Sequence, residues 1–293
     1  MIRATPGPFS PPDQTPRRRT FVGVRTALVL ARHSLTRVRG VAIAMAAVLV
    51  GFQFLLTQVA VVLDRNQAFG ALATMLPDFM REVAGPSMLA FMSFSGIVAL
   101  GFFHPIVLAS LLGLTIAIAT EPAGEVETRF DDLTLTRPVP RAAVIARTVV
   151  VMTIVVGAIL TLMTVGSWTG LTCCTPATAQ RPSIGLLRSL ALGLGAIVWC
   201  WGGLALAVAS AVRRRAVAAG LTGIAALVAY LIDYLGRVWD PLSRVSPLSP
   251  FHYYEPMTLI TGAPLNLTNL AILFGIGAAG AIAASVVFAR RDL

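Results

Sequence analysis

The run GVAIAMAAVLVGFQFLLTQVAVVL, residues 40–63, decides the fold. It holds 24 residues without one charged side chain. As a helix rising ~1.5 Å per residue it reaches ~36 Å, enough to cross a bilayer with some tilt. The apolar core of a cleavable signal peptide is shorter, about 7–15 residues. The run is therefore a membrane span that the chain keeps.

Five further spans follow from the same reasoning, at about 105–120, 142–168, 186–212, 216–235 and 267–288. The chain is 56% hydrophobic and 12% charged, with mean hydropathy +0.80. Soluble domains carry about 25% charged residues, so only lipid can cover this much apolar surface. The fold class predicted is an all-α polytopic membrane protein with six transmembrane helices and both termini cytoplasmic.

Residues 88–120 are the ambiguous stretch, too long for one span and short for two. Proline favours the first turn of a helix, so His104-Pro105 marks a break. The second span is placed at 105–120, and 88–103 becomes a re-entrant or interfacial helix on the outer side. Charge supports one span here. The cytoplasmic segments then hold 17 of the 23 arginines, whereas two spans would leave 12 inside and 11 outside. The positive-inside rule selects the first arrangement.

Ahead of the first span, residues 1–17 form a proline-rich, disordered cytoplasmic tail. Arg17-Arg18-Arg19-Thr20-Phe21-Val22 has the look of a twin-arginine export signal, but later arginines interrupt the apolar region such a signal needs. Arg18, Arg25, Arg32 and Arg39 recur every seven residues, with apolar residues on another face. That predicts a basic amphipathic helix over 18–39 lying in the headgroup plane. Residues 40–293 read as one six-span domain, with a short helix at Leu72, Leu76, Phe79 and Val83 on the outer surface.

The net charge of +10 lies beside the spans, where it orients a membrane protein, and implies no nucleic acid. The partner of that charge is the lipid bilayer. All 23 basic residues are arginine. Without lysine the chain can build neither a lysine-dependent phosphate loop nor a Schiff base. Its three histidines are far apart, with no glutamate at metalloprotease spacing, and no nucleophile elbow occurs. No catalytic residue, metal or cofactor is expected in this chain. Cys173 and Cys174, in an outer loop, and Cys200, within a span, form no metal or disulfide pattern.

Asp233 lies two residues from the outer end of the fifth span, where a charge costs less than at the bilayer centre. Tyr230, Tyr234 and Trp239 suggest an interfacial belt there. Gly275, Ala279 and Ala283 have the small-xxx-small spacing of close helix packing. Trp199 and Trp201, in mid-span, are candidates for lining a substrate path, or for ordinary packing.

The segment after the second span carries the most information. Val126, Phe130 and Leu133 fall at i, i+4 and i+7, an apolar stripe with Glu125, Glu127 and Asp132 at its rim. Pro138 and Pro140 end the helix. Such a helix suits docking into a groove on a partner.

Here the sequence resembles the type-2 ABC transporter permease family. Ala123-Gly124-Glu125-Val126-Glu127, then Asp132-Leu133 and Leu135, then Arg137-Pro138-Val139-Pro140-Arg141 are similar to the family's Ala-Gly-Glu-x-Glu stretch, acidic-leucine segment and Arg-Pro-Val-Ser-Arg-like end. Arg129-Phe130 departs from the usual Gly-Thr. Ser249-Pro250-Phe251-His252-Tyr253-Tyr254 and Phe288-Ala289-Arg290-Arg291-Asp292-Leu293 are further likenesses. The resemblance implies a permease subunit in the plasma (inner) membrane of a prokaryote. It would pair with a second permease chain, as homo- or heterodimer, and export a lipid, drug, antibiotic or similar molecule. A separate ABC ATPase subunit would bind ATP and Mg. Residues 123–136 would be its coupling helix, with Glu125, Val126, Glu127, Phe130, Asp132, Leu133 and Arg137 at the joint, and 18–39 the elbow into the first span. The alternatives are an ion-coupled secondary transporter dependent on Asp233, a non-transporting scaffold, or a membrane enzyme using His104 or His252.

The charge distribution yields a topology prediction. In a cysteine-free background, single cysteines near Gln180 and Asn266 should react with an impermeant reagent from outside, and those near Arg141 and Arg214 should not. Labelling near Arg214 from outside would overturn the six-span arrangement.

Overall fold

The computed structural model describes residues 16–67, 69, 91–127, 141–176 and 181–290. Helix α1, Pro16–Arg65, runs 50 residues. The second span is formed by α2, Phe94–Phe103, and α3, Pro105–Ala119, followed at once by the short α4, Glu121–Glu127. Then come α5, Arg141–Cys174, α6, Ile184–Ala211, and α7, Arg215–Gly236. Two short helices, α8, Asp240–Ser243, and α9, Pro256–Ile260, flank two 3-10 turns before α10, Leu267–Arg290. Six helices are long and apolar enough to cross a membrane, and no strand occurs among the described residues. This is an all-α polytopic membrane protein.

Besides the third span, whose helix runs on from Trp168 to Cys174, two boundaries differ from the sequence expectation. The helix expected over 18–39 and the span expected from Gly40 are one unbroken helix. Ser34 is buried, and Leu35 and Val38 pack on the protein's own core. From Ser34 onward this apolar face therefore meets protein rather than headgroups. Arg32 and Arg39 are exposed, while the side chains of Arg18 and Arg25 fall outside the described ones.

The second correction concerns residues 88–103. From Phe94 they form α2, with Phe94, Val98, Ala99 and Phe102 buried. An interfacial helix would leave one face in water, but α2 is closed in by α1 and α6. Together α2 and α3 make a candidate span, Phe94–Ala119, of 26 residues. The expected break is real. His104 has φ −58° and ψ 132°, Pro105 opens α3, and His104 Nδ1 accepts the Ile106 N–H at 3.2 Å. Gln53 of α1 donates its amide to the Val98 carbonyl at 2.9 Å, and a Cβ on Gly101 would overlap that amide.

Contacts at the helix ends decide the span count. Arg37 before the first span lies 3.8 Å from Glu121 after the second, and Arg147 at the start of the third lies 2.7 Å from Glu125. With two spans inside 88–120, residues 37 and 121 would face opposite sides of the membrane. Their contact requires one. The expected outer-surface helix at Leu72, Leu76, Phe79 and Val83 lies outside the described residues, and Cys173 and Cys174 close α5 instead of occupying a loop.

Lipid offers backbone groups no hydrogen-bond partner, so span hydroxyls turn back on their own helices. Thr148, Thr161, Thr164, Ser167 and Thr222 each donate to the carbonyl four residues earlier. Helix α6 is the hub, with Leu187, Leu190, Leu194, Ile197 and Leu206 buried. It meets α10 so closely that a Cβ on Gly203 would overlap the Gly277 backbone, and one on Gly280 the Gly203 backbone. The buried small face of α10 is thus Gly277, Gly280 and Ala284. Gly275, of the expected small-xxx-small set, faces open space.

Gly203→Val should therefore cost more than the about 1–3 kcal/mol usual for overpacking, because backbone cannot yield as a side chain does. Gly275→Ala should gain up to about 1 kcal/mol of helix propensity. Thermal unfolding in detergent with size-exclusion profiles would check both. A monodisperse Gly203→Val protein of unchanged Tm would refute the close packing.

Candidate functional site

At the end of the second span, Thr120 has φ −90° and ψ 2°, and its hydroxyl donates to Ile116 at 2.8 Å. Pro122 in the next turn lacks an N–H and is tolerated only at a helix start. The chain accordingly bends and restarts as α4. This puts Glu121, Glu125 and Glu127 beside three spans at once.

Each glutamate has a different partner. Glu125 receives the Arg147 guanidinium of α5 at 2.7 Å, in a pair largely hidden from solvent, with 8% and 13% of the side chains exposed. Glu127 accepts the backbone N–H of Arg215 at the start of α7 at 3.0 Å. Arg215 also donates to the Ala117 carbonyl at 2.8 Å, and its stem packs on Gly124, where a Cβ would lie 3.0 Å from the Arg215 Cδ. Glu121 faces Arg37 of α1 at 3.8 Å. Burial pushes the Glu121 carboxyl above the usual carboxylate range, opposed by Arg147 and raised further by Glu125. Helix α4 is thus fastened to α1, α5 and α7.

This placement corrects two expectations. Glu125 was expected on an exposed rim, but it is an internal ion-pair partner. Val126 was expected on a docking stripe, but it is half-buried against the chain's own core. Glu127 is exposed, as expected. Phe130, Asp132, Leu133 and Arg137 lie outside the described residues. The helix starts at Glu121 in near-continuity with α3, rather than at residue 123. Sequence reasoning missed Arg147 and Arg215 as partners. Arg147 offered a signal, because a cation six residues inside a proposed span calls for a counter-charge.

A second polar cluster closes the opposite end. Asp233 at the end of α7 is 6% exposed. It accepts Arg237 at 2.9 Å and the Ser246 hydroxyl at 3.0 Å. His252 Nδ1 lies 3.1 Å from Ser246 Oγ and 3.7 Å from Asp233. A Ser-His-Asp relay needs the imidazole between the other two, working through both ring nitrogens. Here serine sits between aspartate and histidine, so the wiring is that of a structural clasp. Ser249 donates to the Ala229 carbonyl at 2.8 Å, and Tyr254 to Phe102 at 3.1 Å. The motif at 249–254 thereby ties the turn after α7 to α7 and α2. Tyr230 and Tyr234 stack, their ring centroids 6.3 Å apart.

The two mid-span tryptophans part company. Trp199 faces Phe274 and lines a cavity of about 150 Å³ between α5, α6 and α10. Trp201 is buried against Phe251, its Nε1 without a hydrogen-bond partner. It packs the core. Among the described residues no three His, Cys, Asp or Glu side chains converge to hold a metal. Comparison with protein-family models, curated proteins and solved structures gives no match.

Removing one partner of a buried ion pair strands the other charge, at about 3–5 kcal/mol. Glu125→Ala should therefore lower Tm sharply, and Glu125→Ala with Arg147→Leu should recover much of the loss. Glu121→Gln should raise stability at neutral pH. A carboxyl whose pKa is raised by folding loses stability as pH climbs through that raised value, and glutamine removes this loss. Thermal melts of the three variants beside the wild type would decide; a single Glu125→Ala with wild-type Tm would show that the pair holds nothing.

Proposed function

We propose that the chain is the membrane-spanning permease subunit of an ATP-driven ABC transporter, most simply an exporter of a lipid, drug, antibiotic or similar molecule. Two permease chains, identical or sister, would pair in a prokaryotic inner membrane. A separate ATPase subunit would bind ATP and Mg and supply the chemical energy. The observation that carries this reading is the fastening of α4. A short helix emerging from the second span is tied by Glu125 to α5, by Glu127 to α7 and by Glu121 to α1. A segment that merely linked two spans would need none of these contacts. One that receives a push from below, and moves several spans together, needs a stiff root of this kind. The sequence likeness of residues 123–141 to a coupling segment supports the same reading.

Within this proposal Phe130 is the apolar anchor that enters the ATPase. Its burial contributes about 2 kcal/mol, and aspartate there would force a charge into the groove at greater cost. Affinity purification of the full chain from its own cells should bring down an ABC-type ATPase. Phe130→Asp should lose it while still inserting and pairing. A wild-type preparation carrying no ATPase, or Phe130→Asp retaining it in full, would overturn the proposal.

A further inference from the structure

A lateral groove of about 540 Å³ lies between α5 and α6, at the membrane face opposite α4. Its floor and rims are Gly157, Leu160, Thr164, Val165, Trp168 and Leu192, and Arg188 stands in it near the start of α6. Thr161 and Thr164 spend their hydroxyl protons on their own helix, so the walls offer carbon. Val165, Trp168 and Leu192 are 41–52% exposed, which leaves the groove open sideways to the bilayer. Gly157, Leu160, Ala191 and Leu192 also line the smaller cavity at Trp199 and Phe274. The two lie side by side, their linings together spanning Arg188 to Trp199, ~16 Å along α6.

The charge of this groove is one-sided. No acidic residue occurs anywhere between Asp132 and Asp233, so neither wall holds a carboxylate to answer Arg188. Arg188 is exposed and has no ion pair among the described residues. A guanidinium at the mouth of an apolar slot favours a ligand with an anionic head and a hydrocarbon tail. Arginine suits this task because its planar fork binds phosphate through two parallel hydrogen bonds. Trp168, amphipathic and near the end of α5, suits the headgroup level.

We propose that this groove is a binding site for an anionic phospholipid of the surrounding bilayer, one acyl chain lying between α5 and α6 and the phosphate on Arg188. The site does not rest on the permease reading, and its test uses no ATPase and no nucleotide.

The full chain is reconstituted in nanodiscs with phosphatidylglycerol or phosphatidylcholine brominated on the acyl chain, and tryptophan quenching is followed against mole fraction. Brominated phosphatidylglycerol should reach half-quenching at about a tenfold lower mole fraction than brominated phosphatidylcholine, as a charge-assisted contact allows. Arg188→Gln should bring the two lipids to the same mole fraction, and Arg188→Lys should keep part of the difference. The arginines at the other membrane face are untouched by these variants, so general attraction of anionic lipid would not follow Arg188. Gly157→Phe fills the groove, since a Cβ there meets nothing within 4 Å, and should lower quenching by both lipids. Unchanged Tm in each variant marks the fold as intact. Equal quenching of the wild type by both lipids, an unaltered preference in Arg188→Gln, or unaltered quenching in Gly157→Phe would each overturn the proposal.

Discussion

Gly203 and Gly277 meet with no room for a methyl group between them. Lipid tails are as apolar as leucine, so burial of hydrocarbon does not drive spans together; close packing must. With glycine on both sides, α6 and α10 approach backbone to backbone and gain dispersion contacts along their length. Gly202 extends the same logic, since a Cβ there would overlap Met152 of α5 and Thr115 of α3. Helix α6 is thereby wedged among α3, α5 and α10. The groove lies between α5 and α6 at the level of Trp168 and Arg188.

The polar residues obey a complementary constraint. A charge is expensive at the bilayer centre and much cheaper toward its edges. The described ion pairs accordingly sit at the two ends, with Glu121, Glu125, Arg37 and Arg147 at one and Asp233 and Arg237 at the other. The ends differ in kind. The Asp233 cluster joins α7 to the turn that follows it, over at most 19 positions of sequence. The α4 cluster joins residues as far apart as Ala117 and Arg215. The first staples a local turn, and the second fixes the arrangement of spans.

These constraints explain what was legible in the sequence. Span positions were readable because hydrocarbon thickness imposes length, and the ends observed for α6, α7 and α10 lie within two residues of those expected. The break at His104-Pro105 was readable from proline geometry. The fate of residues 94–103 was not. An apolar stretch beside a proline is compatible with an interfacial helix or a buried one, and only Gln53 and Gly101 of the facing surfaces select the latter. Which small residues pack was also hidden. Gly275-Ala279-Ala283 and Gly277-Gly280-Ala284 have similar composition, and the choice between them depends on Gly203, 74 residues away in sequence. Glu125 misled for a related reason. Exposed and paired glutamates look alike until their partner is known, although Arg147 inside a span was already a cation in want of one.

Helix α5 connects the two ends of the molecule. Arg147 lies in its second turn, bound to Glu125, and Trp168 lies 21 residues further on at the groove, ~32 Å along the same helix. Proline is absent from α5 and the helix is continuous over its 34 residues, so its two ends belong to one element. A tilt imposed on such a rod at Arg147 displaces its far end as well. Helix α6 meets α4 through Ala209 against Ala123, and is held by Gly203 against α10. One wall of the groove thus continues into the helix that carries the Glu125 ion pair, and the other into the helix that carries the Gly203 contact.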